Sequence, residues 1–295
     1  MLNSTKIFIL FVLLLSNAGF SQGCSDAGFC TSDNIKHGTA SDSFKNTVKL
    51  GANYGQADFD VAVYGMYLEY KYQLSEKVNV GMRMNYINQF RDNSSSSALS
   101  DGFIIADYKI NATMGANIGL KIPFSDGNLK NNGVALPMDF QPSLGTYDVV
   151  LGFSKKHKNF LFAIGYQQPL NKNKNTFFKP LNSTEFFTTN QFKRAPDVLA
   201  RVGYSYKLNE KWNISPSLLP IYHLANDTFE DVIQQEIQIE GSKGLTLNGN
   251  LLIQYQLNPK NAFEFSVGSP FVVRENRPDG LTRSIVLNLE YKIAF

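Results

Sequence analysis

"SIVLNLEYKIAF" (Ser284–Phe295) closes the chain. Ile285, Leu287, Leu289, Tyr291, Ile293 and Phe295 take every second place in it, and Ser284, Val286, Asn288, Glu290, Lys292 and Ala294 fill the gaps. A strict period of two places successive side chains on opposite faces of a β-strand, here one apolar and one polar. The pattern recurs upstream. Val48, Leu50, Ala52 and Tyr54 alternate with Lys49, Gly51 and Asn53; Tyr64, Met66, Leu68, Tyr70 and Tyr72 alternate with Gly65, Tyr67, Glu69 and Lys71. Val78, Val80, Met82, Met84 and Tyr86 alternate with Asn79, Gly81, Arg83 and Asn85. Further strands are predicted at 103–110, 112–122, 146–154, 159–167, 196–207, 211–223, 244–257, 261–269 and 281–295, twelve in all.

The connections alternate between tight and long. "LSEK" (74–77), "KKHKN" (155–159), "LNEK" (208–211) and "NPKN" (258–261) are short and polar, whereas 91–102, 123–145, 168–195, 225–243 and 272–280 are long and varied. Tight turns at one end and long loops at the other describe an antiparallel up-and-down sheet. The apolar rows carry no charge until the strand ends, while the opposite rows carry Lys49, Glu69, Lys71, Arg83, Arg201, Lys207, Glu264, Glu290 and Lys292. A closed barrel with its apolar face outward accounts for this in a lipid setting, where a midplane Arg or Lys costs about 2–4 kcal/mol. Closure also leaves no unpaired edge. Apolar rows that finish in Tyr70, Tyr72, Tyr86, Tyr166, Tyr204, Tyr206, Tyr255, Tyr291 and Phe295 supply interfacial girdles. The competing reading is a secreted β-sandwich.

The composition is compatible with this. The chain has 295 residues, a formal charge of +3 and 43 % hydrophobic residues, no richer in apolar side chains than a soluble domain. Met1–Ser21 reads as an export signal, with Lys6 before the apolar run Ile7–Leu15 and with small Gly19 and Ser21 before a cut at Gln22. That run is too short to span a bilayer as a helix. A lipid-modified Cys24 is the alternative. Residues 22–43 read as a polar periplasmic tail and 44–295 as an all-β transmembrane barrel. In an oxidising compartment Cys24 and Cys30, the only cysteines, pair most simply as a local disulfide; a thiolate metal site is the alternative. The terminal strand, with Tyr291, Ile293 and Phe295 in its outward row, resembles the signal that bacterial outer-membrane barrels present to their assembly machinery.

"GLKIPFSDGN" (119–128), a loop, then "SLGTYDVVLGFS" (143–154) resembles the paired motif of an outer-membrane barrel family labelled as meta-pathway phenol-degradation or transporter proteins. Tyr222, His223, "LNPKN" and the terminal strand fit the same pattern, whereas Phe124-Ser125 departs from it. The resemblance implies a channel or transporter for small, partly hydrophobic or aromatic molecules. Beside it stands a physical reading: Pro123 ends a strand because it cannot donate to a ladder, and Gly145 relieves crowding where the chain re-enters the sheet.

Lys121 and Asp148 are read as lumenal near the outer rim, forming either a salt bridge or a constriction charge. His223 has inward parity; with His37 in the tail and His157 in a turn, the histidines form no catalytic constellation, and no enzyme, cofactor or metal site is expected. Wall cations outnumber acids in this reading, so a conducting lumen would favour anions. Phe177, Phe178, Phe186, Phe187 and Phe192 form either an inward gate or an inter-loop cluster. Asp227, Glu230, Asp231, Glu236 and Glu240 form a solvated hairpin or a divalent-cation site. The expected partners are outer-membrane lipid and lipopolysaccharide, the barrel assembly machinery and a small solute, with no nucleic acid. A channel is the first functional reading and a closed structural or adhesive barrel the second.

Overall fold

The computed structural model describes residues 44–295 apart from 93 and 282. The export signal, the tail and Cys24 and Cys30 lie outside the described residues. The barrel wall starts with β1 (Asn46–Ala57), β2 (Ala62–Gln73), β3 (Val78–Arg91), β4 (Ser94–Lys109) and β5 (Met114–Pro123). After a long loop holding the short pair β6 (Lys130–Asn131) and β7 (Val134–Ala135), it continues through β8 (Asp148–His157), β9 (Phe160–Pro169) and β10 (Asp197–Tyr204). The small strand β11 (Tyr206–Lys207) prolongs β10 past Ser205, and β12 (Trp212–His223) follows. A loop hairpin of β13 (Thr228–Glu230) and β14 (Glu236–Gln238) precedes β15 (Gly244–Asn258), β16 (Asn261–Val272) and β17 (Arg283–Ala294).

Each wall strand pairs antiparallel with its sequence neighbour; β1 pairs with β17, and β10 with β12 beside β11. With β10 and β11 counted as one wall strand, this is a closed antiparallel barrel of twelve strands. Its two chain-terminal strands lock at one end, where Asn46 N donates to Phe295 O at 3.0 Å and Phe295 N to Asn46 O at 2.9 Å.

Four of the tight turns share one device. Ser75 Oγ, Asn111 Oδ1, Asn209 Oδ1 and Asn258 Oδ1 each accept backbone N–H groups two and three residues ahead, at 2.9 to 3.3 Å. Ser and Asn turn a chain in this way at little cost. The stretch 91–102, expected as a long loop, instead extends β3 and β4 into a tight hairpin. Polar Ser94–Ser97 hides its strand character from a hydrophobic pattern.

Burial is inverted relative to a soluble protein. On β2, Met66 and Leu68 are 67 % and 49 % exposed, whereas Glu69 between Leu68 and Tyr70 is 3 % exposed. The terminal strand repeats this: Leu289 is 53 % exposed and Glu290 only 1 %. The exposed row forms an apolar outer belt, the signature of a barrel whose solvent is lipid. At the tight-turn end it is edged by aromatic pairs, Trp212 with Tyr255, Phe160 with Tyr204 and Phe263 with Tyr291, at centroid distances of 4.6, 4.9 and 4.9 Å.

Candidate functional site

The lumen is built by the inward rows, and its centre is a charge network. Lys49 on β1 lies between Glu69 on β2 (3.2 Å) and Glu290 on β17 (3.6 Å). Lys71 adds contacts to Glu69 (3.5 Å) and, two strands away, Asp107 (4.0 Å). Arg83 lies 3.9 Å from Glu69, donates to Asn85 at 2.9 Å and stacks over the Tyr67 ring at 3.6 Å. Tyr67 in turn donates to Glu290 at 2.7 Å. Lys49 and Lys71 each face two acids, and Arg83 faces Glu69, Asn85 and the Tyr67 ring, contacts that offset the cost of burying the charges.

A second cluster sits at the long-loop end of β5 and β8. Register sets Lys121 opposite Asp148, and Lys121 Nζ lies 3.0 Å from Asp148 Oδ2. Thr146 donates to Asp148 at 2.6 Å, Lys121 donates to Thr146 at 3.0 Å, and Gln167 donates to the other carboxylate oxygen at 2.6 Å. The flanking motif works through its glycines. Gly127 (φ +73°) and Gly145 (φ +72°) bring two loop segments into backbone contact: a Cβ on Gly145 would sit 2.2 Å from Asp126 O, and one on Gly127 2.8 Å from Leu144 O. Only glycine combines that backbone with that approach.

From there residues 138–143 run along the inner faces of β3 and β4. Gln89 donates to Asp139 O at 2.8 Å, Ser96 to Phe140 O at 2.6 Å, and Ser100 to Pro142 O. The Asp139 carboxyl is buried; burial, and then the nearby Asp58, push its pKa up to about 8. The other long loops meet this segment in an apolar cap of Met138, Leu144, Phe192 and Ile239, flanked by Phe187, Phe229 and Leu281. Phe186 joins a neighbouring cluster with Ile87 and Phe140, its ring 4.7 Å from that of Phe59. The sequence's phenylalanine group therefore divides: Phe186, Phe187 and Phe192 pack inward, Phe177 is half-buried and Phe178 is exposed.

A polar knot fastens the cap to the wall. Arg194 reaches Asp197 at 2.5 Å and Asp279 at 3.0 Å, and Arg274 reaches Asp279 at 2.5 Å and Asp227 at 3.6 Å. His223 puts Nδ1 2.7 Å from Asp197 and Nε2 2.8 Å from Asp227. Both ring nitrogens meet carboxylates, so neither is open to act as a base toward a substrate. Burial pushes Asp279 up, but Arg274 and Arg194 outweigh it and hold this carboxyl well below the usual range.

The remaining sequence-selected residues fall into place as follows. Arg201 and Glu264 are buried on the lumenal wall, Lys292 is half-buried and Lys207 is exposed. The last two line a cavity of about 390 Å³ at the tight-turn mouth with Lys211 and Lys260. The acidic loop stretch forms the hairpin of β13 and β14, where Glu230 and Glu236 pair with Lys172 and Lys193; among the described residues no cluster suits a metal ion. In the outward row, Tyr291 bonds Asn261 at 2.9 Å and Phe295 is exposed.

Sequence reasoning missed three things. The first is Asp101 and Asp107, buried acids on the wall. With them included, the buried wall acids Glu69, Asp101, Asp107, Asp148, Glu264 and Glu290 outnumber the buried cations Lys49, Lys71, Arg83, Lys121 and Arg201, and the cation excess narrows to the tight-turn mouth. Asp107 shares the inward parity of Phe103 and Ile105 and was visible, whereas Asp101 sits at a bulge opposite Met84–Tyr86, in the stretch expected as a loop. The second is the polar knot, whose Arg194, Asp227 and the pair Arg274 and Asp279 come from three different loops. The third is an apolar lumenal patch of Val150, Ala163, Leu199, Leu219 and Ile221, masked because both rows of these strands are apolar.

No family model matches the chain, and no curated protein matches it. Among solved structures, the translocator domain of the autotransporter NalP from Neisseria meningitidis is similar at 8 % identity over 89 % of this chain and 91 % of that one, TM-score 0.50. A KdgM porin in complex with disordered oligogalacturonate is similar at 10 % identity over 84 % and 99 %, TM-score 0.46. The Ralstonia pickettii toluene transporter TbuX follows at 9 % identity over 85 % and 90 %, TM-score 0.43. The fold is that of outer-membrane β-barrels.

Proposed function

We propose that the chain is exported, assembles in the outer membrane and forms a gated channel for passive flux of small molecules, hydrophobic and aromatic ones among them. The observation that carries this reading is the lumen itself, an ion-paired interior inside an apolar belt under a cap of mobile-length loops. Wall charges set selectivity in pores, and Lys207, Lys211, Lys260 and Lys292 give the periplasmic mouth a positive bias. The signal peptide, the periplasmic tail and the Cys24–Cys30 disulfide belong to this proposal, as do the assembly role of the terminal strand and contacts with lipopolysaccharide. The family resemblance supports a small aromatic solute.

Reversal potentials test it. Neutralising Arg83 and Arg201 together shifts the selectivity of a channel toward cations; unchanged selectivity in a conducting barrel removes these residues from the pathway. A second reading, a closed barrel whose loops bind a partner, draws on the same ion-paired wall, whose contacts reach across one intervening strand, as from β2 over β1 to β17. It predicts no conductance in any loop-deleted form.

A further inference from the structure

In an antiparallel ladder alternate residues aim both N–H and C=O at the same neighbour. On β12 the even-numbered residues aim at β10 and β11, and two of them are Pro216 and Pro220. Proline has no N–H to give, and inside a sheet it is confined to edges and bulges. The pairing records the loss. β12 makes twelve pairs with β15 without interruption. Toward the other side it makes five with β10 and two with β11. Those pairs join 197–199 with 221–223, 202–203 with 217–218 and 206–207 with 213–214. Both interruptions coincide with a proline: Pro220 stands opposite Ala200, and Pro216 opposite Tyr204.

This seam carries apolar side chains on both faces, with Arg201 in the inward row between Leu199 and Gly203. Outward lie Val198, Val202 and Leu218, the last two exposed on the belt. Inward lie Leu199, Leu219 and Ile221, members of the lumenal patch completed by Val150 and Ala163. The long-loop mouth above is covered by the cap. An apolar solute therefore meets a stretch of wall where strand pairing is interrupted and where an apolar patch lines the lumen beside Arg201.

We propose that the seam between β10 and β12 is a lateral portal, through which a small uncharged apolar molecule passes between the lumenal patch and the membrane. The inference rests on the channel reading above and deepens it by naming a solute class and a route.

A disulfide across the seam tests it. Gly203 and Ser217 are directly paired, and their odd parity puts them at a non-hydrogen-bonded site, where Cα atoms lie about 4.5 Å apart, within disulfide reach. Gly203→Cys/Ser217→Cys is made in the full chain with Cys24→Ser and Cys30→Ser and expressed in cells bearing a lipopolysaccharide outer leaflet. Uptake of the apolar fluorophore N-phenyl-1-naphthylamine and single-channel ion conductance are read together. The proposal expects cross-linking to return dye uptake to the vector-only level, reductant to restore it, and ion conductance to stay unchanged. Unchanged uptake in protein verified as cross-linked overturns the portal. So does a barrel that conducts ions but never admits dye, an outcome that leaves the channel reading standing; a folded barrel that does neither sinks both. Amide exchange gives an independent reading in which folding of the variant is not at issue: in the unmodified protein, the β10 amides that face β12, Val198, Ala200, Val202 and Tyr204, should exchange faster than the β2–β3 amides, and equal protection contradicts a weak seam.

Discussion

Tyr67 reaches Glu290 by lying across Gly51. The three occupy one row of register on β2, β1 and β17, and a Cβ on Gly51 would sit 2.0 Å from the tyrosine Cζ. The absent side chain on the middle strand lets an aromatic ring bridge two strands that do not touch. Gly51→Ala must therefore expel the ring and break its bond to Glu290, leaving a buried carboxylate short of a donor at a cost of about 1–3 kcal/mol. Tyr67→Phe loses the hydroxyl but keeps the ring. Urea unfolding of the refolded barrel should rank Gly51→Ala as the less stable of the two; a wild-type midpoint for Gly51→Ala would show that the ring is not held there.

Lys121 and Asp148 form a buried pair whose worth lies in completeness. Lys121→Met strands the Asp148 carboxylate, and breaking such a pair costs about 3–5 kcal/mol. Replacing both, as Lys121→Met/Asp148→Leu, should recover most of that loss because desolvation of two charges disappears together. A double variant no more stable than the single one would assign the loss to packing.

Asp139 gives the cap a pH dependence. Its pKa is pushed up to about 8 by burial and Asp58, far above the ordinary 3.8. Between those values the folded chain keeps a proton that the unfolded chain has released, so stability falls as pH rises through that window and levels off above about 8. Asp139→Asn removes this slope. Thermal unfolding at pH 5 and pH 9 should show a smaller difference for the variant than for the parent, and parallel losses would place the titration elsewhere.

Gly145 and Gly133 separate crowding from backbone strain. Both have positive φ, +72° and +82°, but a Cβ at Gly133 would meet nothing within 4 Å. Gly133→Ala should cost only the left-handed penalty, about 1–2 kcal/mol. Gly145→Ala adds a collision with Asp126 O and should cost more and loosen the cap, read as faster proteolysis of loop 124–147.

The barrel was legible because lipid selects one row of each strand and charge selects the other, as in Leu289 against Glu290. Twelve strands followed from that alternation. Where both rows are apolar, as at Leu218–Ile221, the period disappears and the inward patch went unseen. Where both are polar, as at Ser94–Ser97, a strand was taken for a loop. The inward positions of Lys49, Glu69 and Arg83 could be read from parity alone. Their partners could not, because register and bulges decide which acid meets which base. The knot of Arg194, His223 and Asp279 depends on loop conformation, which carries no period at all.

The central claim is that this barrel conducts. The most direct measurement is single-channel recording of the refolded mature protein in a planar bilayer, with Cys24 and Cys30 intact and folding checked by heat-modifiable gel mobility. The account predicts discrete conductance steps, more frequent when Asp279→Asn loosens the knot beneath the cap. A barrel that is folded by the gel test yet silent, both intact and with the knot broken, would contradict it.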